Sequence, residues 1–272
     1  MIKLKKNKEW IIALVVILIG YGIFITLDSI DYSGERPVIS FELSNMEVSV
    51  NDDESILLNG VHAEDKEDGN LDEEIVIESI SPFDREKNRI VTYAVFDSDQ
   101  NVTKAQRKIH YNDYIKSKFY LKRSFTSDTK NVTMISNMIG ATSCVDGDIS
   151  GNVVTDMSVE EGTDNIHVKV SVKDSTGETS KLELNYTYDN NNYTTDVKLN
   201  SYLVYVKKGK NFDAEKNIKS IDTKSVGKSE AKNYLNIDDS KVNYNQTGTY
   251  EISYTFNYYG DTGYAKCIVV VE

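Results

Sequence analysis

The stretch from Val168 to Tyr188, VKVSVKDSTGETSKLELNYTY, decides the fold. Both halves alternate apolar and polar residues with a period of two, which is typical of a strand with one buried and one solvated face. The polar run 174–178 separates the halves and contains glycine. The stretch therefore predicts a β-hairpin. Its inward positions are Val168, Val170, Val172, Leu182, Leu184, Tyr186 and Tyr188.

The same pattern occurs twice more, around the polar turns 97–101 and 259–263. A hairpin that recurs at a regular interval predicts a repeated structural unit. The inward positions are Val91, Tyr93, Val95, Ala105, Ile109 and Tyr111 in the first copy, and Tyr250, Ile252, Tyr254, Phe256, Ala265, Cys267, Val269 and Val271 in the third.

The beginnings of the units also match. Asp68-Gly69 and Asp146-Gly147 are 78 residues apart, and the hairpin turns that begin at Asp97 and Asp174 are 77 apart. The third unit lacks the Asp-Gly pair, although 199–206 resembles 43–50. These landmarks predict three units, at 37–112, 113–190 and 191–272.

Residues 60–71, GVHAEDKEDGNL, and 93–101, YAVFDSDQN, resemble the bacterial immunoglobulin-like repeats of Gram-positive surface proteins and of pesticidal crystal protein tails. The resemblance is strong over the first unit, moderate over the second, and confined mainly to the ends of the third. It implies a seven-stranded or similar antiparallel sandwich for each unit. The second unit departs from the pattern at Ser143 and Cys144, where the motif is acidic.

Physical reasoning supports the same class, because a sheet with one apolar face needs a second sheet to cover it. The joins near 112–113 and 189–192 are short and polar, which favours a moderately stiff rod. The predicted fold is all-β, with three tandem immunoglobulin-like β-sandwiches preceded by one transmembrane α-helix.

Residues 10–27, WIIALVVILIGYGIFITL, contain no charge over a length that spans a bilayer core. Four lysines precede this run and acidic residues follow it, so the positive-inside rule places 1–9 in the cytoplasm and the rest outside. We expect an uncleaved signal-anchor, a linker at 28–36, and a single-pass protein of the cell membrane. A cleaved signal peptide is the alternative, although no small-residue cleavage pattern follows the run.

The amino-acid composition disfavours several classes of function. With 43 acidic and 31 basic residues the formal net charge is -12, which disfavours nucleic-acid binding. His62, His110 and His167 fall in different units or strands without a nucleophile motif nearby. Cys144 and Cys267 are expected to be free thiols. We therefore predict no enzyme activity, no cofactor, and no catalytic, cofactor-binding or metal residue.

The sequence leaves two interpretations open for each of two surface features. The acidic loop 65–74 could bind Ca²⁺ through its carboxylates, but its spacing is not that of an EF-hand, and a tight turn is the alternative. The tyrosines Tyr258, Tyr259 and Tyr264 near the last hairpin turn form either a contact patch or edge-strand packing. The carboxylates of the loop are Asp65, Glu67, Asp68, Asp72, Glu73 and Glu74.

Two functions follow. The first is a membrane-anchored extracytoplasmic stalk that presents a binding or spacing surface at a bacterial cell surface, with an unknown protein or cell-wall polysaccharide as its partner. The alternative is an accessory subunit of a membrane secretion, transport or cell-wall complex, in which Gly20 and Gly22 give the anchor a small face for helix contact.

Overall fold

A computed structural model describes Ile17 and residues 34–159, 162–163, 165–227 and 229–272. The predicted cytoplasmic segment 1–9, the predicted transmembrane helix 10–27 apart from Ile17, and most of the linker 28–36 lie outside these residues. Within the described residues, no helix combines the length and the apolar character that a membrane crossing requires. The chain divides into two compact units, Met1–Asn112 and Asp113–Glu272.

The first unit contains a three-stranded sheet in the order β1-β3-β4 and a four-stranded sheet in the order β2-β7-β6-β5. Inward residues of both sheets form one hydrophobic cluster, which includes Val61 and Ala63 from one sheet and Tyr93 and Ile109 from the other. This is the packing of a β-sandwich. The strands are β1 (Val38–Phe41), β2 (Asn45–Val48), β3 (Val61–Asp65), β4 (Gly69–Asn70), β5 (Val76–Ile80), β6 (Asn88–Phe96) and β7 (Val102–Tyr111).

In the second unit the described residues form four sheets, in the orders β8-β10-β11, β9-β14-β13-β12, β15-β17 and β16-β20-β19-β18. A short helix, Val132–Ser136, lies between β9 and β10. The strands are β8 (Lys118–Leu121), β9 (Thr126–Ser127), β10 (Ile139–Ser143), β11 (Gly147–Asp148), β12 (Val154–Val159), β13 (Asn165–Lys173), β14 (Thr179–Tyr188), β15 (Asp196–Leu199), β16 (Leu203–Val206), β17 (Ile218–Asp222), β18 (Leu235–Asp238), β19 (Gly248–Tyr258) and β20 (Asp261–Val271).

The three predicted hairpins are confirmed as the antiparallel pairs β6–β7, β13–β14 and β19–β20. Val168, Val170 and Val172 are at most 2% exposed, as the alternation predicts. The resemblance implies antiparallel sandwiches, but each of the three four-stranded sheets formed by the described residues contains one parallel pair. The short strands β2, β9 and β16 run parallel to β7, β14 and β20, because the chain crosses from one sheet to the other after its first strand.

The last strand, β20, is buried on both faces. Ala265 and Cys267 point into the cluster formed by β15, β17, β19 and β20. On the opposite face Ile268 is fully buried in the same cluster as Val168 and Tyr186 of β13 and β14. The outer face of β20 therefore covers the core of β13 and β14, and residues 113–190 and 191–272, the second and third predicted repeats, pack together within the second unit.

Candidate functional site

The beginning of the acidic loop is a hydrogen-bonded turn. The Oδ1 atom of Asp65, a residue that is only 5% exposed, accepts hydrogen bonds from the backbone N–H groups of Glu67 (2.7 Å) and Asp68 (3.0 Å). These bonds, first that of Asp68 and then that of Glu67, lower the pKa of Asp65. Gly69 follows with φ +77, a conformation that glycine adopts without steric cost.

The remaining polar groups of this loop connect it to neighbouring strands. Asp68 Oδ2 accepts a hydrogen bond of 2.8 Å from the N–H of Ser98, in the hairpin turn between β6 and β7. Asp72 accepts from the N–H of Ala63 at 2.7 Å and lies 3.0 Å from Nδ1 of His62. The hydrogen bond to Asp72, followed by that to Glu42, raises the pKa of His62.

The second repeat makes the same contacts with fewer charges. Ser143 Oγ accepts from the N–H groups of Val145 (3.1 Å) and Asp146 (3.2 Å), in the place that Asp65 holds in the first repeat. Asp146 Oδ2 accepts from the N–H of Ser175 at 2.8 Å, as Asp68 does from Ser98. Because a serine replaces Asp65 without loss of the turn, these contacts explain the Asp-Gly motif as a structural connection between the two sheets.

The described residues contain no group of three or more histidine, cysteine or acidic side chains that could hold a metal ion. The histidines lie apart: His110 hydrogen-bonds to Asn88 at 3.2 Å, and His167 to Asn185 at 2.7 Å. Both cysteines are free thiols, as expected. Burial raises the pKa of Cys267 to about 12, so this thiol is protonated near neutral pH.

The predicted tyrosine patch separates into two places. Tyr258 and Tyr259 lie at the hairpin tip, where Tyr258 also packs against Tyr234 with ring centroids 4.4 Å apart. Tyr259 is 94% exposed. Tyr264 is elsewhere: its ring stacks on Tyr193, with centroids 6.1 Å apart and an interplanar angle of 21°.

Tyr193 and Tyr264 belong to an open cleft of about 420 Å³ within the second unit. Its walls come from the segment around β9, from the join between β14 and β15, and from β20. From the sequence, this join is predicted only to be a short polar connection between two repeats. The lining residues are Arg123, Ser124, Thr126, Ser127, Asp128, Asp189, Asn190, Asn191, Asn192, Tyr193 and Tyr264.

Hydrogen bonds hold the join in place. Asp189 donates its N–H to the carbonyl of Ser127 at 2.9 Å, and the N–H of Thr194 donates to the carbonyl of Thr262 at 3.0 Å. The carboxylate of Asp189 accepts from the Tyr193 hydroxyl and from Asn191 Nδ2, both at 2.7 Å. The cleft is therefore shaped before any ligand arrives, which lowers the entropic cost of binding.

Below the cleft, a buried lysine joins the two sandwiches. Lys266 of β20 is 1% exposed, and its Nζ donates to the carbonyl of Asn185 (2.9 Å), the hydroxyl of Thr187 (3.0 Å) and the carboxylate of Glu251 (3.1 Å). Its backbone N–H donates to Ser124 Oγ at 2.8 Å, next to the cleft. The alternation of the third hairpin places Lys266 on the solvated face, so the sequence pattern does not predict its burial.

No protein-family model matches the chain, and no curated protein matches it. Among solved structures, the CBM51-2 and INT domains of Clostridium perfringens ZmpB align at 17% identity and a TM-score of 0.24, covering 59% of this chain and 31% of that chain. The EC21-23 fragment of human CDH23 aligns at 11% identity and a TM-score of 0.22, covering 87% of this chain and 100% of that one. The extracellular domain of protocadherin GammaB4 aligns at 11% identity and a TM-score of 0.19, covering 87% and 49%.

Proposed function

We propose that this chain is a membrane-anchored stalk of three tandem immunoglobulin-like sandwiches, which presents a binding surface outside a bacterial cell and has no catalytic activity of its own. The cleft between the second and third repeats is the observation that carries the binding role. It is concave and preorganised, which are general features of ligand sites, and its mainly polar lining includes two tyrosines.

The packing of the second and third repeats supports the stalk role. Leu203 and Ile268 of the third repeat are buried in the hydrophobic cluster of the second, and the N–H of Phe119 donates to the Tyr205 hydroxyl at 2.9 Å. A junction with an apolar interior and buried hydrogen bonds resists bending more than a polar linker does. A ligand bound in the cleft would therefore be held at a fixed position within this unit.

The anchoring part of the proposal rests on the uncharged run 10–27 and the lysines before it. Protease added to intact cells can reach only the parts of the protein that lie outside the membrane. It should therefore degrade the part that follows residue 36. Protection until the cells are lysed would contradict the proposed orientation.

Replacing residues 10–27 with an unrelated transmembrane helix distinguishes the stalk from the accessory subunit. A stalk keeps its surface binding after the exchange, because its binding surface lies in the sandwiches. A subunit recognised through its anchor loses its partner in affinity purification from detergent-solubilised membranes.

A further inference from the structure

We propose that the cleft between β9, β20 and the join 189–193 binds an uncharged oligosaccharide. This inference rests on the proposed function and specifies its ligand class. The argument uses three properties of the cleft: its aromatic surface, its polar groups and its charge.

The aromatic surface is the stacked pair Tyr193 and Tyr264. Tyr193 is 39% exposed, whereas Tyr264, on which it stacks, is partly buried, and this burial raises the pKa of the Tyr264 hydroxyl to about 12. A tyrosine face in this setting offers an apolar contact next to hydrogen-bonding groups. The C–H face of a sugar ring matches such a surface, because it is apolar while the ring edge is polar.

The polar groups supply both donors and acceptors. Arg123 donates, Asp128 accepts, and the amides of Asn190 and Asn192 do both; all four residues are exposed. Sugar hydroxyls also donate and accept, so they can satisfy such a mixed set. A wholly apolar ligand would leave these polar groups desolvated and unpaired, at a cost in free energy.

The net negative charge of the cleft disfavours anionic ligands. Two carboxylates, those of Asp128 and Asp189, face a single guanidinium, and the chain as a whole carries a net charge of -12. A polyanionic polymer is therefore repelled. The Asp189 carboxylate already accepts bonds from Tyr193 and Asn191, which leaves it less available to a cation.

The experiment uses the full chain in detergent micelles, titrated by calorimetry with a panel of uncharged tetrasaccharides: chitotetraose, cellotetraose and maltotetraose. We expect at least one to bind, and Tyr193→Ala to weaken that binding roughly tenfold or more. Tyr193→Phe should retain most of the affinity, because it keeps the aromatic ring and loses only the two hydroxyl hydrogen bonds, one donated to Asp189 and one accepted from Asn191. Tyr259→Ala, which removes an exposed tyrosine at the tip of the β19–β20 hairpin that does not line the cleft, should leave binding unchanged.

Four outcomes would overturn the proposal: no binding of any tetrasaccharide at millimolar concentration, equal binding by Tyr193→Ala, loss of affinity in Tyr193→Phe equal to that in Tyr193→Ala, or tighter binding of tetragalacturonate than of every uncharged oligomer. Thermal melting of each variant separates loss of binding from loss of fold. If the protease experiment shows an external stalk and no sugar binds, the ligand class is wrong while the proposed function stands. If a sugar binds but the protease experiment shows that the sandwiches are not external, the ligand class is right while the proposed function is wrong.

Discussion

Replacing Lys266 with alanine should loosen the junction between the second and third repeats. The substitution removes a buried ammonium that donates to Asn185, Thr187 and Glu251. Two of these acceptors are neutral groups of the neighbouring sandwich, and both lose a charged donor. Each such bond contributes about 1.5–3 kcal/mol net.

The expected loss follows from these contacts. Two bonds at the lower value give about 3 kcal/mol, which is also the lower end of the range for breaking a buried ion pair. The lower value applies because burial lowers the pKa of Lys266, an effect that Glu251 only partly opposes. Desolvation of the ammonium therefore offsets part of the stabilisation that its hydrogen bonds contribute. Since the side chain of Glu251 is 38% exposed, water can replace the lysine there.

Urea unfolding of the full chain, followed by far-ultraviolet circular dichroism, provides the measurement. A loss of about 3 kcal/mol shifts the transition of the second unit by roughly 1–3 M urea, given m-values of about 1–3 kcal/mol/M. Lys266→Met keeps most of the side-chain volume, so its free energy of unfolding should fall by less than that of Lys266→Ala. Lys210→Ala, at an exposed lysine, is the matched control. Equal midpoints for Lys266→Ala and Lys210→Ala would refute the reasoning.

Three further predictions concern Gly69 and His62 in the first unit and the turn residue Tyr259 in the second. Gly69→Ala should lower the free energy of unfolding by about 1 kcal/mol, because φ is +77 while the space around an added Cβ is open; an unchanged urea midpoint would contradict this. Tyr259→Asn should raise stability by up to about 1 kcal/mol, because Tyr259 has φ +44 in a two-residue hairpin loop where asparagine is favoured; a lower melting temperature would contradict it. The pKa of His62 is raised by Asp72, so its protonated form stabilises the fold below its unfolded pKa of about 6.5, and this contribution is lost as pH rises through the folded pKa. The urea midpoint of the first unit should therefore fall between about pH 6 and pH 8, and His62→Gln should reduce that slope; an equal slope in the variant would show that another group titrates.

The hairpins could be predicted from the sequence because their signal is local. Alternation at Val168, Val170 and Val172 requires only that one face of a strand be buried, and the polar turn that follows fixes where the chain reverses. The turn interpretation of the acidic loop was also accessible, since the Asp-Gly pair marks a positive φ. The parallel pairing of β2 with β7 was missed, because it joins residues more than sixty positions apart and has no local signature.

Buried charges were missed for a related reason. Arg107 lies on an inward phase of β7 and is 2% exposed, where it donates to the carbonyls of Leu57 and Asn59 and to the Tyr93 hydroxyl. Composition alone places arginine at the surface. Only the folded chain shows that the 3-10 helix Glu54–Leu58 and the residue that caps it, Asn59, supply the carbonyl acceptors that make the burial of Arg107 possible.

The sequence by itself determined the strand class, the three hairpins and the uncharged run 10–27, because each depends on the order of apolar and polar residues within a short window. The tertiary structure alone decided that both faces of β20 are buried, that Lys266 joins two sandwiches, and that Tyr193 meets Tyr264 across a cleft. These features depend on how one sheet covers another. Two residues some seventy positions apart become neighbours only through that packing, which no periodicity along the chain encodes.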